Sequence, residues 1–392
     1  MASADTYDPL AAEVIADPYP WYRELLAARQ PVYVPGRDLW VISRYEHVRA
    51  AARDHGRLSS AEGIMYARVA MPMMITLDPP DHTRLRRLAA QAFTPRAIAE
   101  LEDAVRHTAD GLIDGLLGGH TDAVADLAGP LPVTLIAEML GVPTADRARF
   151  RTWADRIVEG FNHIDDIDSY DEVDPAVYEA GTELHEYLSA VIAERRAAPA
   201  DDLISRVITA PVEPEVTDGE LFWFAFLLLI AGTETTTNLL GGMLHTLAGD
   251  PELRRTLTEA PVRLPDAIEE SLRWHSPIQG FFRTATAPYA VDGVEIPAGS
   301  RVLLLYAAAN RDPRHFPEPD VFDLDRRPGD HLAFGSGIHF CLGAHLARLE
   351  TRVALERLLP RAGTLELAGE PARTANPTLR GFVKLPLHVP GR

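Results

Sequence analysis

The chain has few of the residues that disulfide-rich, nucleic-acid-binding and membrane proteins need. Its 392 residues include one cysteine, Cys341, so an intrachain disulfide cannot form, as is usual in a reducing cytoplasm. Acidic side chains outnumber basic ones by 57 to 38, and the formal net charge of −19 disfavours a nucleic acid or an anionic membrane as partner. We therefore expect a cytoplasmic protein that binds neither.

Three sequence signals are also missing. The N-terminal residues lack the basic and apolar stretches of a signal peptide. The longest apolar run, Leu221 to Gly232, is too short to span a bilayer and instead predicts a long buried helix. The G-x-G-x-x-G fingerprint of nicotinamide and flavin sites does not occur, so electrons for any redox chemistry would come from another protein.

Most of the chain has the periodicity of helices that break at Pro and Gly, for example residues 95–117 and 175–197. Strand signals are fewer. They predict hairpins around Pro35-Gly36 and Asp292-Gly293 and a β-rich stretch over residues 378–389. We expect a mainly α protein with small β-sheets, folded as a single domain over residues 1–392.

Glycines and a helical pattern flank the lone cysteine. From Leu342 onward leucines recur with the helical period, which predicts that Cys341 lies at a helix N-terminus, where unpaired N–H groups favour a thiolate. Gly335, Gly337 and Gly343 leave room for a flat ligand. A thiolate beside a flat partner suggests haem iron, whereas an inert buried cysteine is the alternative.

The pattern Phe334-x-x-Gly337-x-x-x-Cys341-x-Gly343 resembles the haem-binding loop of the cytochrome P450 family. The resemblance covers nearly the whole chain and implies the fold of that family, with a helix-rich and a β-rich lobe. It implies haem b as cofactor, with Phe334 and Gly343 beside it and the Cys341 thiolate as the axial ligand of the iron. Dioxygen would be the co-substrate.

The stretch from Ala231 to Thr236 resembles the oxygen-binding groove of the same family. The resemblance makes Glu234 and Thr235 the catalytic acid–alcohol pair that relays protons. Without the cysteine motif, a Thr-rich core helix with a solvent-facing Glu would explain these residues equally well.

Four basic residues match the family's contacts to the haem propionates. His82 and Arg86 stand four residues apart on one predicted helix, and Arg283 and His339 occupy the later matching positions. Each of them alone is typical of a surface residue.

Glu270 and Arg273 resemble the family's ion pair beneath the haem. The third member of that group normally comes from a Pro-x-Arg-Phe segment, but this chain has Val321 where the arginine would stand. Arg311 and Arg326 are both candidates for the missing partner.

The family's substrate-pocket positions correspond here to Leu228, Ala231, Gln279, Phe281, Phe282, Thr378 and Leu379. Such walls predict a sizeable hydrophobic substrate, for example a macrolide or another polyketide secondary metabolite. Six carboxylates between two predicted lid helices could attract a substrate with a basic amine, although a solvated acidic loop is the other interpretation. They are Asp165, Asp166, Asp168, Asp171, Glu172 and Asp174.

Soluble relatives imply ferredoxin and ferredoxin reductase as electron donors. Candidates for a basic docking surface are Arg84, Arg87, Arg348 and Arg352. We expect a haem-thiolate monooxygenase that hydroxylates or epoxidises its substrate. A peroxide-driven peroxygenase of the same fold and a non-catalytic haem sensor or carrier are the alternatives, and neither needs the acid–alcohol pair.

Overall fold

The computed structural model describes residues 3–162, 174–211 and 213–391. Helices dominate these residues, as predicted. In chain order they are α1 (Ala12–Ala16), α2 (Tyr19–Ala27), α3 (Tyr45–Arg53), α4 (Asp81–Ala92), α5 (Pro95–Ala99), α6 (Glu102–Leu116), α7 (Pro130–Met139), α8 (Arg147–Asn162), α9 (Pro175–Ala197), α10 (Leu203–Ile208), α11 (Asp218–Gly249), α12 (Pro251–Glu259), α13 (Leu264–His275), α14 (Tyr306–Ala309) and α15 (Ala344–Leu358).

The strands are short and form small sheets. They are β1 (Val32–Val34), β2 (Leu39–Ile42), β3 (Leu58–Ser59), β4 (Gly119–Asp122), β5 (Phe281–Ala285), β6 (Tyr289–Val291), β7 (Val294–Ile296), β8 (Arg301–Leu304), β9 (Glu366–Leu367), β10 (Ala372–Arg373), β11 (Phe382–Lys384) and β12 (Pro386–Val389).

Helix α11 runs through the core. Thr217 and Glu220 form a capping box that fixes where it begins. By length and composition α11 could cross a membrane, but 67% of its most apolar stretch is buried inside the protein. It packs against α7, α9, α13 and α15, so its apolar residues contact other helices, as in the core of a globular protein.

The predicted hairpins both form. Strands β1 and β2 pair antiparallel, and β6 and β7 pair around Asp292 and Gly293, whose φ angles of 48° and 79° suit a tight hairpin turn. Strand β2 also pairs with β8 and β8 with β5, which gives the order β1-β2-β8-β5-β3. The C-terminal β-rich stretch supplies β12, which pairs with β4 and β9. This long-range pairing places β5 beside the site described below.

Arg326 is the third member of the buried ion pair that Glu270 and Arg273 form. Glu270 and Arg273 are fully buried on α13, and two of their hydrogen bonds measure 2.7 and 2.8 Å. Arg326 Nε donates to Glu270 Oε1 at 3.2 Å. The other candidate, Arg311, instead pairs with Asp320 at 2.6 Å. A buried carboxylate therefore has two guanidinium partners, which offsets the cost of its desolvation.

A second buried carboxyl has no such partner. Glu350 on α15 is 1% exposed, and its Oε2 atom has no hydrogen-bond partner in the described part of the chain. Burial raises the pKa of Glu350 to about 8. The folded protein therefore keeps this carboxyl protonated at a pH where the unfolded chain ionises it.

Replacing Glu350 by Gln should flatten the pH dependence of stability. Below pH 4.5, the ordinary pKa of a glutamate side chain, the wild-type carboxyl is protonated in both states, and from there to about pH 8 only the unfolded state ionises. The free energy of unfolding of the wild type should thus fall by ~1.4 kcal/mol per pH unit relative to the variant in that window. Urea denaturation of both proteins at several pH values measures this difference.

The control is Glu252→Gln, since the Glu252 side chain is 85% exposed on α12. The two variants should show clearly different pH profiles. Parallel profiles for Glu350→Gln and the wild type would contradict the assignment of a neutral buried carboxyl.

Candidate active site

The loop before α15 holds Cys341 in a fixed conformation. The Cys341 N–H donates to the Phe334 carbonyl at 2.9 Å. Gly337 has φ of 76°, and a Cβ atom there would lie 2.6 Å from the Ala52 carbonyl oxygen of α3, so only glycine fits. A Cβ at Gly343 would meet nothing within 4 Å, which leaves the clearance that a flat ligand requires.

The position of Cys341 before α15 does not by itself lower the pKa of its thiol, contrary to the prediction from the sequence. Helix α15 has Gly343 as N-cap, so Cys341 lies two residues before it. Burial raises the pKa of the Cys341 thiol above its usual range, although the Gly343 N–H and the cations of Arg86 and Arg348 oppose this. A bound metal cation would supply the missing charge, because a coordinating thiol is deprotonated.

Helix α11 presents the acid–alcohol pair to the same cavity as Cys341. The Thr235 hydroxyl donates to the Ala231 carbonyl at 2.8 Å, one turn earlier. The Glu234 carboxyl has no hydrogen-bond partner in the described ranges, and burial raises its pKa to about 7. At neutral pH this carboxyl can therefore both hold and release a proton.

A large cavity lies between α11 and the cysteine loop. It has a volume of about 2060 Å³, counted to its open mouth. Along with Cys341, Glu234 and Thr235, its wall includes Phe334 and Gly343. Most of the remaining lining side chains are apolar. Such a cavity can bury a flat cofactor and a hydrophobic molecule together.

The four predicted propionate contacts all line this cavity, and His339 interacts electrostatically with the other three, His82, Arg86 and Arg283. The rings of His82 and His339 lie 4.5 Å apart. Burial and the neighbouring cations lower the pKa of His82 to about 4 and of His339 to about 2. Both ring nitrogens of His82 are buried and lack a partner in the described residues.

This basic cluster fits the carboxylates of haem. Among the described residues that line the cavity, Glu234 is the sole acidic side chain, and it stands on α11. Several buried donors without a counter-anion are costly unless a ligand supplies negative charge. Two propionates would supply that charge, so the residues present suit haem with Cys341 as its axial ligand.

Five of the seven predicted substrate contacts line the cavity, namely Leu228, Ala231, Phe281, Thr378 and Leu379. Gln279 and Phe282 do not. Gln279 is 3% exposed and accepts a hydrogen bond from Tyr22 at 2.6 Å, so it ties the N-terminal segment to the core. Phe282 alternates with Phe281 on β5 and faces the opposite side, against Tyr66 at a ring distance of 5.9 Å.

Tyr306 is a wall residue that no sequence motif identified. It is 3% exposed and lines the cavity, and burial raises its pKa while the nearby Arg283 guanidinium opposes that rise. The position of Tyr306 depends on the pairing of β5 with β8, because β8 ends just before Tyr306 in the chain. A sequence signal for that register would be needed to predict it.

Of the six predicted acidic lid residues, one lies within the described part of the chain. The acidic lid residues Asp165, Asp166, Asp168, Asp171 and Glu172 lie outside the described residues, and Asp174 caps α9 through the Ala176 N–H.

Three arginines of the predicted docking surface pair within the chain. Arg84 binds Glu220, Arg348 binds Glu269, and Arg352 binds Glu102 and Glu356. Arg87 alone among the four is exposed and has no ion pair in the described ranges. The surface is therefore less basic than the sequence suggested.

Comparison with known proteins gives one consistent result. The family model described as Cytochrome P450 matches residues 30–387. The beta-dihydromenaquinone-9 omega-hydroxylase of Mycobacterium tuberculosis is 39% identical over an alignment of 390 residues that covers 98% of this chain and 79% of that protein. CYP109Q5 from Chondromyces apiculatus has a TM-score of 0.90 at 36% identity and covers 99% of both chains. CYP109E1 from Bacillus megaterium, solved with corticosterone, has a TM-score of 0.87 at 33% identity over 96% of this chain and 99% of that one.

Proposed function

The chain belongs to the cytochrome P450 family and is a haem-thiolate monooxygenase, and from this premise we propose that it oxidises an uncharged hydrophobic small molecule with electrons from a ferredoxin. The observation that carries the proposal is the cavity, which joins Cys341, the acid–alcohol pair and an apolar wall. The reaction would be hydroxylation of a C–H bond or epoxidation of a double bond.

Haem b, when bound, supplies an iron that binds dioxygen and accepts electrons, so that one oxygen atom enters the substrate and the other leaves as water. We assign the remaining tasks to this chain's own residues. Cys341 would hold the iron through its Sγ atom. The basic cluster of His82, Arg86, Arg283 and His339 would hold the propionates.

Proton delivery falls to α11. The Glu234 carboxyl, with a pKa of about 7, can hold and release a proton at neutral pH, and it lines the cavity. Thr235 Oγ1, on the next residue, can pass that proton onward once it releases the Ala231 carbonyl. A peroxygenase or a haem sensor would not need this pair, so its presence favours the monooxygenase.

The charge of the wall supports an uncharged substrate. Among the described lining residues, Glu234 is the sole carboxylate that could pair with an amine of the substrate. We assign Glu234 to proton transfer, which leaves no carboxylate in that part of the wall for such a pair. The relatives named for a menaquinone and solved with a steroid act on or bind hydrophobic molecules. The mostly apolar lining also suits a macrolide or other polyketide, and a basic amine on it would rely on the acidic lid residues.

We further propose that the enzyme works in the cytoplasm as a single domain over residues 1–392. The pairing of β2 with β8, far apart in the chain, supports one folding unit. The electron donor would be a ferredoxin reduced by its reductase, since a nicotinamide or flavin fingerprint does not occur in the sequence.

Binding spectra test the substrate class. Corticosterone and a short-chain menaquinone, both neutral, should shift the absorbance of the ferric protein, and their affinities should not depend on salt. Leu228→Trp should weaken that binding by about tenfold because it overfills the cavity, whereas Phe282→Leu should not. Tight, salt-dependent binding by amine-bearing macrolides alone would contradict an uncharged substrate.

A further inference from the structure

Methionine is concentrated in one part of the cavity wall. Of the seven methionines in the chain, four line the cavity and stand within ten residues of sequence. We call them the methionine wall: Met65, Met71, Met73 and Met74. Met139 and Met243 lie away from this cavity, on α7 and α11. Met139 and Met243 can therefore serve as internal controls for the four methionines that line the cavity.

The methionine wall is held in place rather than left loose. The Thr76 hydroxyl donates to the backbone carbonyls of Met71 and Met73, the latter at 2.9 Å. Thr378 Oγ1 lies 3.8 Å from Met65 Sδ and also donates its hydroxyl to Asn376 Oδ1 at 2.9 Å. Met73 and Met74 are only 5% and 9% exposed. Met73 and Met74 therefore line the cavity and are shielded from bulk solvent by the surrounding protein.

A thioether is a better oxygen acceptor than the C–H bond of a substrate, because its sulfur lone pair is soft and easily oxidised. We propose that, when no substrate fills the cavity, the enzyme oxidises its own methionine wall to methionine sulfoxide. Each event consumes one dioxygen, two electrons and two protons, forms one S=O bond and releases one water. The inference rests on the proposed monooxygenase activity, which supplies these reactants.

The modification would change binding as well as mass. Methionine sulfoxide is polar, and an unpaired S=O group in an apolar wall disfavours a hydrophobic ligand. Corticosterone, if it binds the native protein, should bind about tenfold more weakly after turnover without substrate. The enzyme would thus lose affinity in proportion to its idle turnover.

Peptide masses test the proposal directly. The haem-loaded protein is supplied with a photochemical electron donor, heavy-oxygen-labelled dioxygen and catalase, without substrate. Trypsin cleaves after Arg57, Arg68 and Arg84, so one peptide carries Met65 and the next carries Met71, Met73 and Met74. Both should gain labelled oxygen, whereas peptides with Met139 or Met243 should not. Carbon monoxide in the gas phase should prevent the labelling.

A variant with the four wall methionines replaced by Leu tests the effect on binding, with Met139→Leu as the matched control. The fourfold variant should keep its corticosterone affinity after idle turnover; single Met→Leu variants serve if it does not fold. Labelling that is lost with catalase, or that is equal at Met139, would overturn the proposal. Dioxygen uptake without label, or no uptake without substrate, overturns this inference alone, whereas a reduced carbon monoxide complex that lacks the thiolate band overturns the proposed function with it.

Discussion

Cys341→Ala should abolish product formation and remove the thiolate signature of the haem. The reduced, carbon monoxide-bound variant should lack the far-red Soret band that a thiolate ligand gives. We expect turnover to fall by at least ~10³-fold, equivalent to ~4 kcal/mol of lost transition-state stabilisation. The physical reason is that Cys341 is the sole cysteine of the sequence, so no other thiolate can replace it as a ligand.

The control for this variant is His345→Ala, an exposed residue on the same helix α15. It should keep both the band and the activity. Cys341→His offers a second check, since it should restore an axial ligand but with the spectrum of histidine-ligated haem. A Cys341→Ala protein that retains the thiolate band would contradict the site described here.

Thr235→Ala should divert electrons from product to peroxide. Loss of the hydroxyl removes the group that can pass a proton from Glu234 into the cavity. Product per reducing equivalent should fall by roughly tenfold, while peroxide rises to account for the electrons. Dioxygen uptake itself should change little, because the iron ligand and the basic cluster are untouched. Stoichiometry of reductant, product and peroxide measures this directly.

Thr233→Ala is the matched control for the helix. Thr233 makes the same kind of bond, to the Leu229 carbonyl at 2.7 Å, but does not line the cavity. It should stay coupled, and Thr235→Ser should recover much of the coupling because it restores a hydroxyl. Equal uncoupling in the Thr233 and Thr235 variants would point to a bent helix instead of a proton path.

Features encoded in short stretches could be predicted from the sequence. The apolar run of α11 predicted the core helix, and the turn residues at Asp292-Gly293 predicted their hairpin. The cysteine loop and the acid–alcohol pair are also local patterns. The structure places Cys341, Glu234 and Thr235 in the wall of one cavity.

Features that depend on contacts between distant residues could not be predicted in the same way. The pairing of β5 with β8 determines which face of β5 lines the cavity. In this register Phe282 points away from the cavity wall. Arg326 reaches Glu270 across 56 residues of sequence. Arg84 and Arg348 find their carboxylates 136 and 79 residues away, so their charges are neutralised by partners that no local motif reveals.

The decisive experiment is the absorbance spectrum of the freshly purified wild-type protein, reduced and saturated with carbon monoxide. A thiolate from Cys341 on the iron predicts a Soret band far to the red of that of histidine-ligated haem. A band at the histidine-ligated position, or no haem bound at all, would contradict the assignment of Cys341 as the axial ligand of a haem-dependent monooxygenase.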